Sequence, residues 1–323
     1  MPIRDTAETR AVTLVDIPLV RRLSESGGMV LDSELFYTDA TGAQSSGLIT
    51  LLLPYRGVYT MVTRTESQQV AGQFRLRQND AYAQITYVAP APQEDEDDSA
   101  WLHVLDAMAA EAGKRGAHLL TAEVEENAPL FKTMRIASYA IYARQEIWCR
   151  APEDATEYTP RHAVDLTDTT EEDLAGIYLL YGNIVPKLVQ PVTELPGEGE
   201  GFVYRRDDRV EGYIGVVDGK MGVYLTPHLH PDVFSEAPAV IAAAIAKVER
   251  TGKVPVFVRV RRYQDWLDDA LVELGFTICA RQAVMVKHIA AGVRAAAFTP
   301  LRQRLEAVPS PVKPPNGITE SRK

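Results

Sequence analysis

Cysteine is nearly absent from this 323-residue chain. Only Cys149 and Cys279 occur, neither in a C-x-x-C pair, which predicts reduced, buried thiols rather than a disulfide framework. Long apolar runs are missing too. The longest, Ala237 to Ala246, falls short of the roughly 18 residues a membrane span needs. There is no basic excess: 34 Lys and Arg stand against 44 Asp and Glu, a formal net charge of −10. That balance argues against a nucleic-acid partner, which would require a basic face for phosphates. The first residues carry no apolar h-region, which predicts no signal peptide and a cytoplasmic location. What is present is an ordinary globular composition, 46% hydrophobic and 24% charged. At about 150 residues per domain, the length suggests two domains. The charge is uneven: from Arg294 onward six basic residues face two acidic ones, among five prolines. This predicts a Pro-rich, basic, disordered tail over 291–323, read as an inert solvated extension with a docking tail as the alternative.

Hydrophobic periodicity divides the rest into two blocks of the same order, joined by a polar connection from Ala151 to Arg161. In the first block, 17–25 reads as a helix ending at Gly27-Gly28. Residues 57–64, 69–77 and 82–88 read as a strand meander, 99–114 as a helix, 117–124 as a strand, 129–137 as a helix and 139–149 as a strand. In the second, 163–166 is a strand, 171–181 a helix, and 202–206, 210–217 and 221–226 are strands. A helix at 236–250, a strand at 254–261, a helix at 263–274 and a strand at 276–287 follow. Asp218-Gly219 predicts a type I′ hairpin. An offset of 137 lays Ala143-Arg144-Gln145 on Ala280-Arg281-Gln282, Leu130 on Leu267, Met134 on Leu271, Tyr139 on Phe276 and Ile141 on Ile278 without a gap. A duplicated fold explains these matches, with Arg144 and Arg281 as outer-face strand residues.

The element order, together with Leu271-Val272-Glu273-Leu274-Gly275-Phe276, resembles the acetyl-CoA-dependent N-acyltransferase superfamily called GNAT, in which a helix ends in Gly-Phe before the last strand. Gln73-Phe74-Arg75-Leu76-Arg77 and Ile85-Thr86-Tyr87-Val88-Ala89-Pro90 are similar to its central hairpin and strand exit. The first block has Ser138 where the second has Gly275. The resemblance implies an α+β (mixed α/β) fold of two tandem GNAT-like domains, 1–150 and 160–290, each a twisted mixed β-sheet flanked by helices. It implies that the fourth and fifth strands of a domain splay to admit pantetheine. A Q/R-x-x-G-x-G/A loop at a helix start would bind pyrophosphate. A carboxylate or water would take the amine proton, and a Tyr would protonate the leaving thiolate.

Neither block carries that loop. The first has Ala89 to Ser99, without glycine and with five acids from Glu94 to Asp98; the second has Pro227 to Ser235, also without glycine but less acidic. Acetyl-CoA is therefore assigned by resemblance to the second block, with Leu225, Thr226, His228, His230 and Ser235 as contacts and Ser235 as the helix cap. The family's Asn…Tyr spacing falls on Asn127 and Phe131 in the first block and on Gln264 and Asp268 in the second. Tyr263 is the nearest hydroxyl and stands as the candidate acid. Glu123, with Glu125 and Glu126 at a strand exit, is the candidate base, its pKa raised by burial, with a solvated strand end as the alternative. The implied reaction moves an acyl group to an amine of a small molecule or peptide. The alternative is a non-catalytic tandem GNAT-fold module that binds a ligand or protein.

Other constellations are weaker. Arg259 and Arg261 alternate on one strand face, either clamping an anion or forming a solvated face. His228-x-His230 with Asp232 has a zinc-like spacing but no second ligand cluster, so no metal is assigned. Pro196 to Gly201 alternates glycine with glutamate but lacks the Lys-Ser/Thr of a P-loop, and reads as a loop or lid.

Overall fold

The computed structural model describes residues 7–38, 57–77, 80–154, 164–193 and 199–289. The tail, most of the 151–161 connection and half of the 196–201 loop lie outside the described residues. In the first half, β1 (Glu8–Ala11), β3 (Val58–Arg64), β4 (Gln69–Arg75) and β5 (Tyr82–Ala89) are antiparallel neighbours, with α1 (Ile17–Glu25), β2 (Met29–Val30) and α2 (Ser33–Thr38) between β1 and β3. Helix α3 (Ser99–Lys114) crosses to β6 (Leu119–Glu125), and α4 (Pro129–Ile136) leads to β7 (Ala140–Arg150). The second half repeats the plan. Strand β8 (Leu166–Asp168) and α5 (Leu174–Ile184) precede β9 (Gly201–Arg206), β10 (Arg209–Asp218) and β11 (Val223–Leu229). Helix α6 (Ala237–Lys247), β12 (Val256–Arg261), α7 (Asp268–Glu273) and β13 (Thr277–His288) complete it. Helices α3 and α4 bury Trp101, Leu105, Met108 and Leu130 against the first half of the sheet; α6 and α7 bury Val240, Ile241 and Leu271 against the second.

The duplication extends to a detail of the helix starts. Asp16 accepts from Thr13 N (2.9 Å) and Oγ (2.8 Å), and Asp173 accepts from Thr170 N (2.9 Å) and Oγ (2.8 Å). Each aspartate then pairs with an arginine, Arg10 or Arg205. Arg10 holds the Asp16 carboxyl far below the usual carboxylate range.

The two sheets are one. The strand order is β1-β3-β4-β5-β6-β13-β7-β12-β11-β10-β9-β8, so each half is completed by the final strand of the other. At the centre Gln145 stands directly opposite Gln282, its Nε2 donating to Gln282 Oε1 at 2.8 Å. Residues 137 apart that face each other across an antiparallel pair lie on a local two-fold axis. The register slips skip Tyr142 on β7 and Cys279 on β13, again 137 apart. One step outward, Glu125 pairs with Gln282 and Arg261 with Gln145. The register thus makes Arg261 the counterpart of Glu125, and Arg259 that of Glu123, at an offset of 136.

Three local expectations are corrected. Asp218-Gly219 does not form a two-residue turn; Asp218 pairs with Val223, and residues 219–222 form the loop because Met221 N bonds Thr38 O (3.0 Å) from the first half. The two-residue turn with both φ positive is Asp207-Asp208 (φ 50° and 62°). Cys149 is half-buried and Cys279 exposed, because Cys279 opens onto a groove beside Arg281. Arg144 and Arg281 lie on the outside, as expected, paired with Glu126 and Glu146.

Gly275 and Ser138 end equivalent helices with φ of 80° and 67°. A left-handed residue with a Cβ is strained where glycine is not. Ser138→Gly is expected to stabilise the protein by about 1 kcal/mol, read from the urea midpoint. An unmoved midpoint would mean that the Ser138 turn carries no strain.

Candidate functional site

The sheet opens twice. Strands β5 and β6 pair in parallel only at Tyr82–Leu119, Ala83–Leu120 and Gln84–Thr121. Strands β11 and β12 pair only at Val223–Val256, Tyr224–Phe257 and Leu225–Val258. Beyond these points each pair diverges, exposing a backbone edge that must find partners.

The first opening is filled by the chain itself. Because β4 occupies one edge of β5, β2 lies on the other, with Met29 opposite Val88 and Val30 opposite Tyr87. Leu31 bridges the gap: its N–H donates to Thr86 O (3.0 Å), and its carbonyl accepts from Glu123 N (2.9 Å) and Gln84 Nε2 (2.9 Å). Gly28 is required for this approach, since a Cβ there would lie 1.8 Å from Tyr87 Oη. Among the described residues the second opening has no such strand. The Gln264 side-chain amide, turned with its nitrogen toward β11, donates to Pro227 O (3.2 Å) and accepts from Leu229 N (3.3 Å). One side chain caps this edge.

On the face between α2 and α5, the two strand ends bring opposite charges together. Glu123 is buried, with Oε1 3.8 Å from Arg259 Nη1 and 3.6 Å from Arg261 Nη2. Its other oxygen accepts from Ser33 N (2.9 Å) and Ser33 Oγ, and that hydroxyl also lies 2.9 Å from Tyr224 Oη. Burial pushes the Glu123 carboxyl up, but Arg259, Arg261 and the Ser33 donors outweigh it and hold it below its ordinary value. Glu123 is an ion-pair anchor, so the expectation of a burial-raised base is corrected. Its solvated-end alternative falls too. Arg259 and Arg261 are likewise enclosed, because α2 and the 185–193 segment cover the face that the alternation left open.

His228 lies on the same face, stacked beside Tyr213 (6.2 Å) and near Tyr181 (6.1 Å). Burial, reinforced by Arg259 and Arg261, pushes its pKa down to about 3, so it is neutral at neutral pH. Tyr263 is half-buried beside them; burial raises its pKa against the arginines, and the phenol keeps its proton. Asp268, at the family's Tyr position, is pushed up to about 6 by burial and by Glu146 and Asp265. Among the described residues, Tyr263 Oη, His228 Nδ1, and Arg261 Nε and Nη1 have no hydrogen-bond partner.

The remaining candidates are dispersed. Leu225 is the last β11 residue paired with β12, its side chain in the core, and Thr226 is half-buried at the divergence. His230 turns away from His228: its Nδ1 accepts from Asp232 N (3.3 Å) at the start of the 231–236 turn. No group of His, Cys, Asp or Glu that could hold a metal occurs among the described residues. Ser235 is exposed and does not cap; Glu236 holds the N-cap position of α6, and Pro238 removes an N–H from its first turn. Sequence reasoning missed Ser33, Tyr224 and the β2 insertion. The available signal was the pairing of Glu123-x-Glu125 with Arg259-x-Arg261 at equivalent strands.

Pro227 O and Leu229 N, the two groups Gln264 meets, are an acceptor and a donor on the diverging edge, the pair a pantetheine amide would need. The α6 start, with Glu236, Asp269 and Glu273 around it, offers the cofactor's phosphates little.

No family model matches the sequence, and no curated protein matches it. The likeness lies in the fold. A GCN5-related N-acetyltransferase from Sphaerobacter thermophilus superposes with a TM-score of 0.51 at 11% identity, covering 90% of this chain and 97% of that one. A tandem GNAT protein from the clavulanic acid biosynthesis pathway does so with a TM-score of 0.51 at 14% identity, over 88% of this chain and 98% of that one. The chain therefore has the tandem GNAT fold. No helix among the described residues is long and apolar enough to cross a membrane.

Proposed function

We propose that this tandem GNAT-fold protein is an N-acyltransferase with one working cleft, in the second half, moving an acyl group, with acetyl-CoA as donor, to an amine of a small molecule or peptide. The carrying observation is the contrast between the two openings: the first is bridged by backbone at Leu31, and the second, among the described residues, is capped by the Gln264 side chain. When bound, the thioester would supply the activated acyl carbon. Pro227 O and Leu229 N would hold the pantetheine amide, with Leu225 and Thr226 at its entry. Arg259 and Arg261, held against Glu123, would line the acceptor side of the cleft. Tyr263, protonated and unpartnered, would give its proton to the leaving thiolate and recover one from the acylated nitrogen of a free amine, leaving the amide and the free thiol. His228 would stand by as a neutral group. His230 and Ser235 lie too far around the turn to take part in the chemistry.

Calorimetric titration of the full chain with acetyl-CoA tests this. One site per chain is expected, tightened several-fold in Gln264→Ala, which frees the β11 edge. Tyr263→Phe is expected to lower kcat about 100-fold with little change in KM. A second reading, a non-catalytic ligand-binding module, is favoured by Glu236 and Pro238 at the α6 start. No heat with acetyl-CoA up to about 1 mM would select it.

A further inference from the structure

We propose that the cavity where β6 and β12 face each other beneath the 185–193 segment binds a carboxylate, so that the acyl acceptor is an amino carboxylate. The second clause rests on the acyl-transfer reading; the first stands without it. Arg261 is only 6% exposed, yet two of its three guanidinium nitrogens meet no acceptor among the described residues. Its third contacts Glu123, which it shares with Arg259. A guanidinium enclosed this far normally has its donors satisfied, because each one left open forfeits hydration without return. Two further polar atoms beside it, Tyr263 Oη and His228 Nδ1, are enclosed and unpartnered as well. Arg261 acts electrostatically on both groups, so the three sit in one neighbourhood.

The space is small and of mixed charge. About 40 Å³ is open inside, enough for a carboxylate group or about three waters. Four arginines and four carboxylates line it, so its walls are formally neutral. Of the carboxylates, Asp32 already pairs with Arg75 (3.1 Å) and Glu123 is divided between two arginines. A planar monoanion brought against Arg261 supplies the acceptor that its open guanidinium donors lack. A phosphate dianion would be repelled by the lining acids. An acceptor held here by its carboxylate has its amine carried toward the second opening, since β12 forms both the cavity wall and the edge of the cleft.

Thermal unfolding of the full chain tests the site with sodium acetate, acetamide, sodium chloride and inorganic phosphate at matched ionic strength and neutral pH. Acetate is expected to raise Tm by about 1–3 °C above chloride, saturably, with acetamide inert. Arg261→Met is expected to abolish the difference; the wild-type contrast between acetate and acetamide decides the matter if that variant does not fold. A rise no greater than with chloride, one that never saturates, or a larger effect of phosphate would each overturn the proposal. Acetyl-CoA titration separates the two readings. An acetate shift without acetyl-CoA binding sinks acyl transfer and leaves the carboxylate site, whereas acetyl-CoA binding without an acetate shift does the reverse.

Discussion

Glu123→Gln is expected to cost about 3–5 kcal/mol of stability, measured by urea unfolding at neutral pH. The glutamine fills the same space and keeps an acceptor for Ser33, so the loss reports charge. Arg259 and Arg261 would then lose the carboxylate they share. Replacing the three together, Glu123→Leu with Arg259→Leu and Arg261→Met, is expected to recover most of the loss, because an apolar cluster has no desolvation to offset. Acid should have a related effect. The Glu123 carboxyl titrates below its ordinary value when folded, so its contribution is complete above about pH 4.5 and disappears as pH falls through the folded value. A Glu123→Gln protein as stable as the wild type would show that the arginines are relieved by something other than Glu123.

The second large effect belongs to His228. Its pKa is about 3 in the folded protein against an ordinary 6.5, so below pH 6.5 the unfolded chain takes up a proton that the folded one refuses. Stability should be flat above pH 6.5 and fall by about 2–3 kcal/mol on reaching about pH 4.5. That window lies above the Glu123 window, so the two can be separated. His228→Phe, which fits between Tyr181 and Tyr213, should remove the slope. Parallel stability curves for the two proteins between these pH values would refute the assignment.

Both effects arise from a juxtaposition that strand patterns do not specify. Arg259 and Arg261 read as alternating polar residues on β12, and alternation reports which residues share a face, not what covers that face. Here the cover is α2, brought over by the first half, and the 185–193 segment, brought over by the second. The Gly27-Gly28 pair read as a helix end, and Gly27 does sit at positive φ after α1. Its neighbour has a second task, the approach to Tyr87 that admits β2 into the first opening. No periodicity betrays a two-residue strand.

The sequence by itself determined the duplication and the order of the elements from β3 onward, though not β1, β2 or α2 before it. Those features depend on contacts within a few residues and on which side of an element is apolar, information carried by spacing alone. The 137-residue offset was legible for the same reason. Scarce cysteine and absent apolar runs also bounded the answer before any element was placed. Only the tertiary structure decided that the two final strands are exchanged, so that the same offset measures distance across a two-fold axis through Gln145 and Gln282. Pairing partners in a sheet are chosen by hydrogen bonds between segments far apart in the chain, and an equivalent strand from either half satisfies them equally well. That exchange carries β6 and β12 toward a common centre, and it is there that Glu123 meets Arg259 and Arg261.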